Sequence, residues 1–185
     1  MTSRRSGARR VLLIVARLAR EKGLLPFLSA LMFLSAPERS RLTVSIAGAS
    51  PAFKEIQRWI GTHDLDVKLL GHKSQAEIAA LYAQADGFCL PSLSDPNPLS
   101  VIEALWAGLP LLLSSCVGNH PECLQDSENG FCFDPSAPKS ICNAVSRWLK
   151  LSTGQLDGFG AVSARIAQEK FAPREVIRNF LAASN

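Results

Sequence analysis

The chain has 185 residues, 47% hydrophobic and 19% charged, which suits one domain, or one with an appendage, with a sizeable core. Its formal net charge is +4, with Arg4, Arg5, Arg9 and Arg10 crowded into the first ten residues. No aromatic residue interleaves that run, so residues 1–9 read as a solvated, disordered basic tail and no nucleic-acid partner is expected. Five cysteines without a C-x-x-C pair point to free thiols in a reducing compartment. The three histidines have no metal-ligand spacing, so no metal is expected. No apolar run is long enough for a signal or a membrane span. A cytoplasmic protein is expected, with peripheral contact to the inner face of a membrane left open.

Residues 11–16 form a continuous apolar run, as expected of a strand buried on both faces. Residues 24–34 carry apolar side chains wide around a helix. Leu42–Ala47 reads as a second strand, 51–60 as a helix opened by Ser50-Pro51, and 67–70 as a short strand. Gln75–Gln84 reads as a helix with Ser74 as cap and Glu77 in capping-box register. Gly87–Leu90 is a strand, followed by a helix at Pro98 and a strand over 109–113. Residues 122–124 suggest a helical turn and 131–133 a final strand. Helices over 138–149, 156–169 and 173–183 close the chain. The last carries Val176, Ile177, Phe180 and Leu181 at helical spacing. Strands alternating with helices predict an α/β, Rossmann-like, doubly wound parallel sheet of about six strands with helices on both faces. Such folds bind ligands beyond the carboxyl ends of their strands.

The loops at those ends carry the chemistry. After the first strand, Arg17 and Lys22 bracket a turn, a planar fork and a point charge suited to a diphosphate. Gly48 lies in a turn of small residues after the second strand. His72 follows the third, either lining a base pocket or standing as a solvated loop histidine. After the fourth comes Asp95-Pro96-Asn97-Pro98-Leu99-Ser100-Val101-Ile102-Glu103, two carboxylates eight positions apart. Asn97 is expected as N-cap and Pro98 as the first helical residue. The N–H groups of Leu99, Ser100 and Val101 would then face outward as an anion site. Glu103 shares the helix face of Leu99 and Ser100 and would accept from neutral hydroxyls. A ligand with both phosphates and hydroxyls, such as a nucleotide sugar, suits this combination. His120 reads as structural. No G-x-G-x-x-G, Walker A or G-x-S-x-G motif occurs.

Taken in order, these loops resemble the C-terminal, donor-binding domain of group 1 (family 4) glycosyltransferases of GT-B fold. Val15-Ala16-Arg17-Leu18 with Glu21-Lys22-Gly23 looks like that family's Arg-Leu…Glu-Lys-Gly loop. Ile46-Ala47-Gly48, Leu70-Gly71-His72 and Ala85-Asp86 through Pro91-Ser92 look like its next blocks. Asp95 to Glu103 looks like the E-x7-E motif, followed by Ala107-Gly108-Leu109-Pro110. Gly118-Asn119-His120-Pro121-Glu122 and Glu128-Asn129-Gly130 complete the series. The similarity runs from about Val11 to Leu149.

The resemblance implies a catalytic set of Asp95, Glu103, Arg17 and Lys22. Arg17 and Lys22 would grip the donor diphosphate, and Gly48, His72, Pro98, Leu99 and Ser100 would line the donor site. Glu103 would hold the ribose hydroxyls and Asp95 would lie near the transferred sugar. It implies transfer with retention, no cofactor beyond the nucleotide-diphosphate sugar donor, and a sugar, lipid or polysaccharide acceptor. Residues 10–170 would be the donor domain. Residues 171–185 would pack on an N-terminal acceptor domain, present as a partner or separate subunit. Asp95 stands for glutamate, one methylene shorter, and Pro98 stands where glycine is usual, without an N–H. Two further readings are a non-catalytic nucleotide-sugar binding module or split-enzyme subunit, and a sugar-nucleotide epimerase.

Overall fold

The computed structural model describes residues 9–49 and 53–172. Residues 1–8 of the expected 1–9 tail, residues 51–52 of the helix expected over 51–60, and the helix expected over 173–183 lie outside the described residues. The elements are β1 (Arg10–Val15), a 3-10 turn (Arg20–Lys22), α1 (Leu24–Leu31), α2 (Ala36–Ser40), β2 (Leu42–Ala47), α3 (Phe53–Ile60) and β3 (Asp66–Gly71). They continue with α4 (Gln75–Gln84), β4 (Gly87–Leu90), α5 (Leu99–Trp106), β5 (Leu111–Ser114), α6 (His120–Cys123), β6 (Gly130–Phe133), α7 (Pro138–Lys150) and α8 (Thr153–Lys170).

All six strands are parallel, in the order β3-β2-β1-β4-β5-β6. The strand order reverses between β1 and β4, which is where a doubly wound sheet opens its ligand crevice. Period-2 alternation divides the core between the two faces. Leu12, Ile14, Cys89, Leu112, Phe131 and Phe133 face one side, with α1 and α7. Leu13, Phe88, Leu90, Leu111 and Leu113 face the other, with α5 and α8. Trp148 of α7 is fully buried, and a Cβ on Gly87 would come within 2.7 Å of its Nε1. Glycine at 87 is therefore what lets α7 lie flat on β4.

Local chemistry sets the boundaries. Ser74 and Glu77 form the expected capping box on α4, and Ser152 with Gln155 forms another on α8. The expected helix over 24–34 stops at Leu31. The N–H groups of Met32, Phe33 and Leu34 each bond three residues back, a 3-10 ending. Ser35 then caps α2 in a box with Glu38, a helix the periodicity does not announce. Two of the four N-terminal arginines, expected in solvent, are tied to the domain. Arg9 donates to Asp66 Oδ2 at 2.7 Å and to Ser40 O at 3.0 Å. Arg10 donates to the carbonyls of Trp148 and Leu151 at the end of α7, where a cation suits the helix dipole.

Asp86 ties two strands of the sheet, and Asn129 ties α6 and α8 to the loop before β6. Asp86 Oδ2 accepts from Val11 N–H at 2.8 Å while Asp86 N–H donates to Val11 O, which locks β1 to β4. Asn129 is fully buried, donating to Cys123 O and Ser163 Oγ and accepting from Gln125 N–H. All five cysteines are free; Cys89 and Cys123 are buried and Cys116 is exposed. Among the described residues no helix is long and apolar enough to cross a membrane.

Candidate functional site

The carboxyl ends of β1, β2 and β3 surround a cavity of about 310 Å3 lined by Arg17, Gly48, His72, Lys73 and Ile78, among others. Its floor depends on a close backbone approach. Gly48 has φ +151°, and a Cβ there would sit 1.9 Å from Ala16 O. Only glycine meets both conditions. Gly48 N–H donates to Gly71 O at 2.8 Å, which joins the loops after β2 and β3. The Arg17 side chain is 79% exposed and reaches Glu21 at only 3.4 Å, so its guanidinium remains available. Lys73 pairs with Glu77 at 2.9 Å. The cavity thus gathers Arg17, Gly48 and His72 as expected, and adds Lys73.

The second cluster lies across the switch point. Lys22 Nζ donates to Asp95 Oδ2 at 2.5 Å, and the two side chains are only 13% and 12% exposed. Sequence reasoning gave these residues separate ligands, a diphosphate and a sugar. The structure makes them each other's partner. Backbone bonds hold their loops in register: Leu93 N–H donates to Glu21 O at 2.7 Å. Gly23, with φ +63°, leaves no room for a Cβ, which would lie 2.3 Å from Pro91 O.

The helix start differs from expectation by one residue. Pro98, with ψ 121°, is the N-cap and α5 begins at Leu99. Asn97 does not cap, because its Oδ1 accepts from Asn119 Nδ2 at 3.0 Å. Asn119 Nδ2 also reaches Pro98 O at 3.3 Å, and Gly118 N–H donates to Asp95 O at 2.8 Å. The loop after β5 therefore fastens the Asp95–Pro98 loop from behind. Val101 N–H, expected to face outward, turns to Pro98 O at 3.3 Å. Among the described residues, Leu99 and Ser100 N–H have no acceptor, so two donors rather than three remain at the helix end. The Leu99 side chain is 68% exposed beside them.

Glu103 lies one turn further along the exposed face of α5. Its Oε2 accepts from Tyr82 Oη at 2.9 Å, and Tyr82 Oη also lies 3.1 Å from Ser100 O. Tyr82 is buried, with its ring 5.9 Å from Phe88. Burial, and then the charge of Glu103, pushes the phenol well above its ordinary value, so it stays protonated and donates. Tyr82 is on α4 one turn beyond Ile78, so one helix both walls the cavity and anchors Glu103. Sequence reasoning missed Tyr82, Lys73 and the fastening by Asn119. The one sequence cue was that Tyr82 is the only tyrosine in the chain. His120 Nδ1 lies 2.7 Å from Val117 O, inside its own turn. Among the described residues no cluster of three or more His, Cys, Asp or Glu side chains could hold a metal ion.

The expected residues thus form a cavity with free cationic character, a partly buried ion pair, and a helix end with an anchored carboxylate. All stand at the carboxyl edge of one sheet. Comparison with known proteins gives the same outline. Amylovoran biosynthesis glycosyltransferase AmsK of Erwinia amylovora is 31% identical over 166 residues, covering 85% of this chain and 39% of AmsK. The chain therefore spans well under half the length of that relative. The pneumococcal O-GlcNAc transferase GtfA, solved with UDP and GlcNAc, superposes with a TM-score of 0.74 at 23% identity over 96% of this chain and 36% of GtfA. A mutant of S. aureus TarM solved with fondaparinux, alpha-GlcNAc-glycerol and UDP gives 0.83 at 14% identity over 94% of this chain and 35% of TarM. These likenesses establish the fold as the Rossmann-like half seen in GT-B enzymes. The family described as Glycosyl transferases group 1 matches residues 3–158, and with the fold and the ordered loops this means that the chain belongs to the group 1 glycosyltransferases.

Proposed function

We propose that this chain is the donor-binding half of a glycosyltransferase that binds a nucleoside-diphosphate sugar and transfers its glycosyl group with retention. The observation that carries the reading is the placement of Arg17, His72 and Lys73 around one cavity, with Glu103 held by the helix that walls it. Arg17 and the two free N–H groups of α5 would take the phosphates, and the free oxygen of Glu103 would take the ribose hydroxyls. Developing negative charge on the leaving diphosphate would be stabilised by these fixed donors. The acceptor, a sugar, lipid or polysaccharide, would be bound by an N-terminal domain or subunit facing this edge. That half would also exclude water, which the open edge of one sheet cannot do alone. The relatives solved with UDP support a nucleoside diphosphate as the ligand class.

One observation favours a second reading, a nucleotide-sugar binding subunit without chemistry of its own. Asp95, shorter than the family's glutamate, spends Oδ2 on Lys22. The first experiment is calorimetric titration of the chain with UDP, GDP and ADP, repeated on Glu103→Ala. Loss of a charged hydrogen bond should weaken the best ligand by about 1.5–3 kcal/mol. Unchanged affinity in a folded variant refutes the ribose assignment. Acceptor-dependent transfer after adding a candidate N-terminal half separates enzyme from binder.

A further inference from the structure

We propose that Tyr82 is a positioning residue that fixes the Glu103 carboxylate with one oxygen occupied and the other presented to the ribose hydroxyls of a nucleoside diphosphate; this rests on the functional reading above. Glu103 is an exposed glutamate on a helix surface, and such side chains ordinarily sample several rotamers. Here the Tyr82 hydroxyl holds Oε2 at 2.9 Å, while Oε1 has no partner among the described residues. The hydroxyl cannot wander, because its ring is buried against Phe88 and Oη is shared with Ser100 O at 3.1 Å. The phenol's single hydrogen faces two acceptors, Oε2 at 2.9 Å and Ser100 O at 3.1 Å, and the charged, nearer Oε2 is the stronger, so Oε1 keeps its full acceptor capacity. A carboxylate held this way has already lost the freedom that binding would otherwise cost. Ser100 belongs to the first turn of α5, where the two free N–H groups lie. Tyr82 thereby sets the spacing between a phosphate on the helix end and a hydroxyl on Glu103.

A merely structural tyrosine would affect all nucleotides alike. A positioning tyrosine affects only those with ribose hydroxyls. The test measures UDP, GDP and ADP, each against its 2′,3′-dideoxy counterpart, on the full chain by NMR titration. Four proteins are compared: wild type, Tyr82→Phe, Glu103→Ala and the double variant. Phenylalanine keeps the buried ring, and thermal melting confirms folding of each variant. The wild type should prefer the ribonucleotide by about tenfold or more, the size of one charged hydrogen bond. Glu103→Ala should abolish that preference. Tyr82→Phe should reduce it severalfold while leaving dideoxy affinity unchanged, and should add nothing in the Glu103→Ala background. An intact preference in Tyr82→Phe, with Glu103→Ala behaving as stated, overturns the positioning role and leaves the functional reading standing. An equal loss for both nucleotides shows a structural role and also overturns it. A preference that survives Glu103→Ala overturns this proposal and the ribose assignment together.

Discussion

Removing either partner of the Lys22–Asp95 pair should cost the fold about 2–3 kcal/mol. The magnitude follows from burial. Exposed ion pairs are worth about 0.2–1 kcal/mol, because water competes for both charges. Removing one member of a fully buried pair costs about 3–5 kcal/mol, because the other charge is left unpaired in a poor solvent. Here the side chains are 13% and 12% exposed at 2.5 Å, so the pair sits nearer the buried case with one wet edge. For a domain of this size the loss corresponds to roughly 5–10 °C in Tm. The assay is urea unfolding of Lys22→Ala, Asp95→Ala and the double variant. The double variant should lose less than the sum of the singles, with a coupling of about 2 kcal/mol, because no orphan charge remains. A coupling below about 0.5 kcal/mol would show that the pair behaves as a solvated surface contact and that the burial argument fails. Binding supplies the functional counterpart. Asp95→Ala frees the Lys22 ammonium and should not weaken the bare nucleoside diphosphate.

Gly48→Ala should destabilise by about 2–4 kcal/mol, since its Cβ would meet Ala16 O at 1.9 Å; a wild-type urea midpoint would contradict the close approach. Arg17→Ala removes an exposed side chain, so stability should stay within about 0.5 kcal/mol of wild type. Calorimetry should instead show diphosphate affinity falling, the more so at low salt, with nucleoside affinity unchanged. Glu77 is held down to about 2 from 4.5, first by the Ser74 N–H and then by Lys73 and the Ser74 hydroxyl. Its native carboxyl is favoured in the charged form, so its support of α4 is complete above pH 4.5 and is lost as pH falls through about 2. The stability gap between wild type and Glu77→Ala should close over that window, and NMR titration of Glu77 with a midpoint at 4.5 would refute it.

The fold was largely legible because its signals are local. Two-sided apolar runs mark parallel strands, and Leu42–Ala47 and Gly87–Leu90 match their expected bounds. Ser74 with Glu77 declares the start of α4 within four residues. The ordered loop motifs identified the family, and the structure gives several of them structural roles. Asp86 locks β1 to β4, and a Cβ on Gly130 would meet Leu111 O at 2.0 Å. α5 starts one residue later than its sequence predicts, because Asn119, distant in the chain, takes the Asn97 side chain.

Partnerships across the sheet were decided by tertiary structure alone. Lys22 and Asp95 lie 73 positions apart, and Tyr82 and Glu103 lie 21 apart on different helices. Periodicity and capping act over a turn or two, so they fix each element and its buried face. Which two loops meet at the carboxyl edge depends on strand order, and β1 beside β4 is a product of the whole sheet. The sequence alone therefore determined the residue types at the site and the elements that carry them. The close approach of those elements decided which charges remain free for a ligand and which neutralise each other.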